Sequence, residues 1–180
     1  MKTSFIIALP EEAEGLKGHS IYLSGCGKVN ATIATMEAID AGAKRIINYG
    51  TAGAVGDISG LVEVTGYVDR DMDVRPLGFR LGQTPFEEDK VISFGDPIDD
   101  MCCSTGDNFV SDTSVLDIIA DVVDMEAYAI AKACKQAEVN FKCFKYVSDQ
   151  ADENASKDWE KTVADGEQHY INAYLDVNNA

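Results

Sequence analysis

Basic residues are in short supply in this chain of 180 residues. Fifteen lysines and arginines stand against 31 aspartates and glutamates, for a net charge of −16 and a pI near 4.3. Such a field repels polyanions, so DNA, RNA and anionic membranes are not expected partners, whereas a small neutral or cationic ligand is not excluded. No apolar run approaches the roughly 18 residues of a membrane span. The only histidines, His19 and His169, lack metal-ligand spacing. The five cysteines are odd in number and show no C-x-x-C spacing, which argues against a disulfide framework. Adjacent Cys102 and Cys103 read as small, partly buried thiols of a reducing compartment rather than as a redox pair. Internal repeats, low-complexity tracts and linkers are also missing. Met1–Ile7 has neither a long apolar stretch nor a cleavage site and reads as a first strand, not a signal peptide. A cytoplasmic protein is expected.

What is present is ordinary for a globular domain: 46% hydrophobic and 26% charged residues. The length suits one domain that buries roughly two thirds of its unfolded surface. Short apolar runs alternate with helical spacing. Strands are predicted over Phe5 to Leu9, Ile21 to Leu23, Arg45 to Tyr49, residues 61 to 69, Val91 to Phe94, Met101 to Cys103, Asp121 to Val123 and Phe141 to Val147. Helices are predicted over Val29 to Ala41, with Val29, Ile33, Met36 and Ile39 near one face, from Asp112 toward Ile119, from Met125 to Ala137, and from Trp159 to Val177. Gly50 to Gly53 reads as a turn after its strand, and residues 70 to 89, with two prolines and two glycines, as a polar loop. This alternation predicts an α/β fold: one domain, 1–180, with a mixed central sheet between helical layers.

Three acids are the chemical candidates. Glu126 and Asp149 lie at the ends of apolar strands, where α/β sheets build their ligand crevices. Glu12 lies near the N-terminus, after Pro10 and Glu11. Each also has a structural reading: Asp149 as a helix cap, Glu126 as a first-turn acid favoured by the helix dipole, Glu12 as half of a solvated pair.

Five segments in order resemble the nucleoside phosphorylase/nucleosidase superfamily, and within it the 5′-methylthioadenosine/S-adenosylhomocysteine nucleosidases. They are Ala8–Ala13, Ser24–Ala31, Ile47–Gly53, Ser104–Val110, and Val123–Ala129 leading to Val147–Asp149. The chain resembles a shortened member, with a hairpin missing between Leu16 and His19 and a segment trimmed before Met101. The resemblance implies a three-layer α/β/α fold and hydrolysis of the N-ribosidic bond of a purine nucleoside, an adenine thionucleoside being favoured, without metal or organic cofactor. It implies Asp149 as the general acid toward the purine, Glu12 as the group that activates water, and Met125-Glu126 on the ribose. Phe109 would stack on the base, and Val110 and Ser148 would present backbone to it. Thr51, Ala52 and Gly53 would let backbone approach the ligand, and Cys26 lies in a matched ligand-binding segment. The loop Asp71 to Pro85 is similar to the family's dimer-interface segment, with Leu77 and Pro85 reaching the partner's pocket in a homodimer.

Phosphorolysis on the same fold, or nucleoside binding without turnover, are the alternatives. Cations favour hydrolysis: where related phosphorylases carry arginines for phosphate, this chain has Glu11-Glu12 and Asn48. Two departures, Arg70 at a common histidine and Lys145 at a frequent arginine, are expected to add positive charge near the sugar's 5′-end and admit a more polar tail.

Overall fold

A computed structural model describes residues 1–16, 18–87, 91–94, 101–118 and 120–175. Its centre is one mixed sheet of nine strands. Strands β1 (Thr3–Ile7), β2 (Ile21–Leu23), β3 (Arg45–Ala54) and β9 (Asn140–Asp149) are mutually parallel where paired, in the order β2-β1-β3-β9. The antiparallel strand β4 (Gly60–Val64) covers the outer edge of β9. The far end of β3 bends onto β8 (Val122–Asp124), which continues the sheet through β7 (Cys102–Thr105), β5 (Gly66–Asp69) and β6 (Ile92–Ser93).

Alternation along the strands divides the core. Phe5, Ile7, Ile47, Tyr49 and Phe144 face one side, where they meet Leu16 and Tyr170. Ile6, Ile46, Tyr67, Cys103 and Cys143 face the other, under helices α1 (Lys28–Asp40) and α2 (Ala127–Gln136).

Four expectations change. Helix α1 forms, but Val29, Ile33 and Met36 point to solvent while Ala31, Ala34, Thr35 and Ala38 are buried. Small side chains let α1 lie close against the alanine-rich α2, so close helix packing outweighs side-chain size in choosing the inner face. Gly50 to Gly53 is not a turn; β3 runs through it. The β3/β9 register shifts at Ala52/Gly53, so that Val147 faces Ala52 while Asp149 faces Gly53 and Ser148 is the extra residue of a bulge. After Asp112 comes only a short 3-10 turn, Thr113–Val115, capped by the Asp112 carboxylate accepting from Ser114 N; Ile119 lies outside the described residues. The final helix is broken into α3 (Ala155–Thr162), α4 (Gly166–Tyr170) and a π turn, Ile171–Leu175; residues 176–177 of the expected helix are not described. A Cβ on Gly166 would stand 2.3 Å from Tyr146 Cβ, so the chain must present a glycine there to bring Tyr170 into the aromatic cluster of Phe5, Tyr49 and Phe144. No described helix is long and apolar enough to cross a membrane.

Candidate active site

A cavity of about 320 Å³ opens where β3, β8 and β9 end. That is near the lower end of pockets that enclose a small organic ligand, roughly 300–1,000 Å³. Glu12, Glu126 and Asp149 all line it, from segments more than a hundred residues apart at the extremes. Cys26, Thr51, Ala52, Gly53, Phe109, Val110, Met125 and Ser148 line it as well. Leu77 and Pro85 do not; Leu77 is 72% exposed on its loop and Pro85 is half-buried.

Glu12 is held by local backbone geometry. Leu9 and Pro10 start a 3-10 turn, Pro10–Glu12, that leaves Glu11 exposed and turns Glu12 inward to 2% exposure, so the solvated-pair reading applies only to Glu11. Glu12 Oε2 accepts from Leu9 N at 3.2 Å, and Oε1 accepts from Thr51 N at 2.8 Å and from the Thr51 hydroxyl at 3.0 Å. Burial raises its pKa, while Lys145 and these donors oppose the rise.

Glu126 is the residue just before α2, but its side chain does not cap that helix. The capping oxygen comes from Asp124, whose Oδ2 accepts from Ala127 N at 2.8 Å. Glu126 is thereby free to face the cavity, where its Oε1 accepts from Gly27 N at 2.8 Å. Burial, then the nearby Asp124 charge, push its pKa up to about 7. Asp124 in turn forms a buried ion pair with Lys145 at 2.8 Å, both side chains 1% exposed, and accepts from the Thr105 hydroxyl at 2.6 Å. That pairing holds Asp124 below the usual carboxylate range despite its burial.

Asp149 lines the cavity from the end of β9. Its Oδ2 accepts from the Ser148 hydroxyl at 2.8 Å and its Oδ1 from Ala151 N at 2.9 Å. Ala151 reaches this position in a left-handed conformation (φ 50°), an uncommon one for a residue with a side chain. Burial raises the Asp149 pKa against both donors, and Asp152 and Asp158 add to the rise. Asp149 does not cap the next helix, which begins six residues on with Asn154 at its cap.

Both cations expected to enrich the pocket line it, and neither is free for an anion. Arg70 Nη1 donates to the carbonyls of Ser104 at 2.6 Å and Asp124 at 2.8 Å, and its Nη2 to that of Asn108 at 2.6 Å. It staples the 104–108 loop rather than reading a ligand tail. Lys145 is committed to Asp124. Arg75, by contrast, pairs with Asp73 and Asp117 at the exposed surface.

Sequence reasoning missed the contribution of α3: Ser156, Trp159 and Glu160 line the cavity. The single tryptophan of the chain was the available signal. Asp124 was also missed as a cavity residue; its place two residues before Glu126 at a strand end was the clue.

A model of the phosphorylase superfamily matches residues 15–175. The 5′-methylthioadenosine/S-adenosylhomocysteine nucleosidase of an Exiguobacterium strain is 36% identical over 164 residues, covering 76% of this chain and 69% of that protein. The crystal structure of the enzyme of that name from Neisseria meningitidis, in complex with methylthio-immucillin-A, superposes with a TM-score of 0.83 at 26% identity, over 93% of this chain and 94% of the other. Futalosine hydrolase of Helicobacter pylori shares the fold, with a TM-score of 0.87 at 20% identity over 98% of this chain and 97% of the other. The chain belongs to the phosphorylase superfamily.

Proposed function

We propose that this protein hydrolyses the N-ribosidic bond of an adenine thionucleoside of the methylthioadenosine or S-adenosylhomocysteine type, releasing adenine and the thio-sugar. The observation that carries this reading is the meeting of three carboxylates in three different environments around one cavity. Asp149, whose pKa burial raises, gives a proton to the purine's ring nitrogen seven as the bond to the sugar breaks. Glu126 accepts hydrogen bonds from the ribose hydroxyls and stabilises positive charge on the sugar. Glu12 takes the proton of the water that attacks the anomeric carbon. Met125 packs on the sugar and Phe109 on the base. The relatives' names support the substrate class.

Hydrolysis is favoured over phosphorolysis by the cavity's electrostatics. Glu12, Asp124 and Glu126 surround one lysine that is already paired, and Arg70 spends its donors on backbone carbonyls. A phosphate would meet repulsion with no uncommitted cation among the described residues that line the site, whereas water would not.

A homodimer extends the reading. Val29, Ile33 and Met36 form an exposed apolar stripe on α1, and Leu77 and Phe86 stand exposed on the loop that follows β5. Lys28 ties the two regions together by pairing with Asp69 and Asp71. A second copy packed there would bury that surface and bring its Leu77 and Pro85 toward the cavity mouth beside half-exposed Phe109. The five cysteines, present as thiols, support a reducing cytoplasmic setting.

The test is incubation of the purified protein with a panel of purine nucleosides, with and without phosphate, followed by chromatography. Adenine and free thio-sugar at equal rates in both conditions is the expected result. A sugar 1-phosphate formed only with phosphate would make it a phosphorylase, and intact nucleoside after long incubation would make it a binding protein.

A further inference from the structure

Helix α3 lies over the cavity with little to hold it: Ala155 is its one buried residue, Trp159 is half-buried, and Ser156 and Glu160 are exposed. Two side-chain hydrogen bonds tie it to the strand ends below. The Thr162 hydroxyl shares its one proton between Asp158 O of its own helix at 2.8 Å and Ser148 O at 3.1 Å, and Trp159 Nε1–H donates to Thr51 Oγ1 at 3.1 Å. The second of these continues inward, because Thr51 Oγ1 lies 3.0 Å from Glu12 Oε1. An indole N–H can only donate, so it occupies a lone pair of the threonine oxygen and leaves the hydroxyl proton to point at the carboxylate. The chain indole to hydroxyl to carboxylate has one direction, and it is reinforced by Thr51 N donating to the same Oε1 at 2.8 Å.

We propose that Trp159 is a positioning residue for Glu12: by fixing the Thr51 hydroxyl as a donor it holds the carboxylate in the orientation that accepts water's proton, and so ties catalysis to the docking of α3 over the cavity. This rests on the hydrolytic reading of the site. Other groups act on Glu12 besides this chain: Lys145 from β9, Glu126 ahead of α2, Cys26 ahead of α1 and Tyr49 from β3, with Glu160 of α3 on the cavity wall. None of these groups is altered by Trp159→Phe, which removes the indole N–H and trims the ring system while keeping one aromatic ring over the cavity.

The experiment measures kcat and KM for methylthioadenosine across pH for the wild type, Trp159→Phe, Thr51→Val and the double variant. Loss of one donor at the end of the chain lowers kcat by roughly three- to tenfold with KM little changed, and moves the acidic limb of the kcat profile upward, because Glu12 loses support for its charged form. The double variant is no slower than Thr51→Val alone, since both act through one hydroxyl. A second readout needs no turnover. The emission of this single tryptophan in the ligand-free protein changes with pH as Glu12 titrates, and Thr51→Val suppresses that change. If no nucleoside is cleaved but the emission still follows pH through Thr51, the hydrolytic reading fails while the chain of hydrogen bonds stands. A Trp159→Phe enzyme with wild-type kcat and pH profile, a change in KM alone, or multiplying effects in the double variant would overturn the proposal.

Discussion

Gly53 on β3 makes room for Asp149 on β9. A Cβ at position 53 would stand 2.8 Å from Asp149 Oδ1, 3.1 Å from the Ala151 side chain and 3.2 Å from Val123. All three neighbours belong to the wall of the cavity or the loop that orients it. Gly53→Ala is therefore expected to push the Asp149 carboxyl off its bonds to Ser148 and Ala151. It should lower kcat by roughly tenfold or more, as small misplacements of reacting groups do, and cost stability as overpacking does, about 1–3 kcal/mol. Steady-state kinetics and thermal unfolding check both; an enzyme of normal kcat would show that the carboxyl needs no such clearance.

Asp149→Asn keeps the shape and removes the proton donor. Base release is expected to fall by roughly 10²–10⁴, the usual range for a general acid, while the dissociation constant for methylthioadenosine stays within a few-fold. Chromatography of free adenine together with equilibrium binding separates the two. Unchanged turnover would take Asp149 out of the mechanism.

Glu126 links function and stability through pH. Its folded-state pKa is raised from 4.5 to about 7, so the native state holds a proton there that the unfolded chain has lost. The sign follows: the folded protein is favoured at low pH and loses that advantage as pH rises through the window from 4.5 to about 7, by at most about 3 kcal/mol. Glu126→Gln is expected to raise the Tm of the ligand-free protein at pH 8 and to leave it nearly unchanged at pH 4, while removing most activity. In the wild type, kcat/KM declines as pH falls through about 7, because the ribose hydroxyls need the ionised carboxylate. A flat profile from pH 5 to 8 would show that Glu126 is not required in that form.

The Asp124–Lys145 pair is expected to behave as a buried ion pair whose partners cannot be removed singly. Lys145→Met strands the Asp124 charge and should destabilise the fold by about 3–5 kcal/mol, whereas combining it with Asp124→Asn recovers much of that loss. Denaturant unfolding of the two singles and the double gives the cycle. Additive losses would mean that the two groups do not depend on each other.

Periodicity and strand-end acids carried most of this far. Strands β1, β2 and β9 and helix α2 were legible because apolar runs are local; Glu126 and Asp149 stood out at strand ends, and Glu12 only through the family resemblance. The inner face of α1 was not: it depends on α2 being alanine-rich, which no window of α1 contains. The break at Gly166 depends on Tyr146, twenty residues away in sequence, and the extension of β3 through Gly50–Gly53 depends on pairing with β9. Arg70 and Lys145 were legible as cations near the site, but their commitment to backbone carbonyls and to Asp124 was not.

An acidic α/β chain, with two carboxylates at strand ends and a third picked out by the family resemblance near the N-terminus, was readable from the order of residues, since burial periodicity and residue type are written locally. Folding added what surrounds those carboxylates: the burial that raises the pKa of each, the partners that already occupy Arg70 and Lys145, and the path from Trp159 to Glu12 through Thr51. Desolvation and hydrogen bonding depend on what lies within a few ångströms in space, and those neighbours come from segments the chain brings together only on folding.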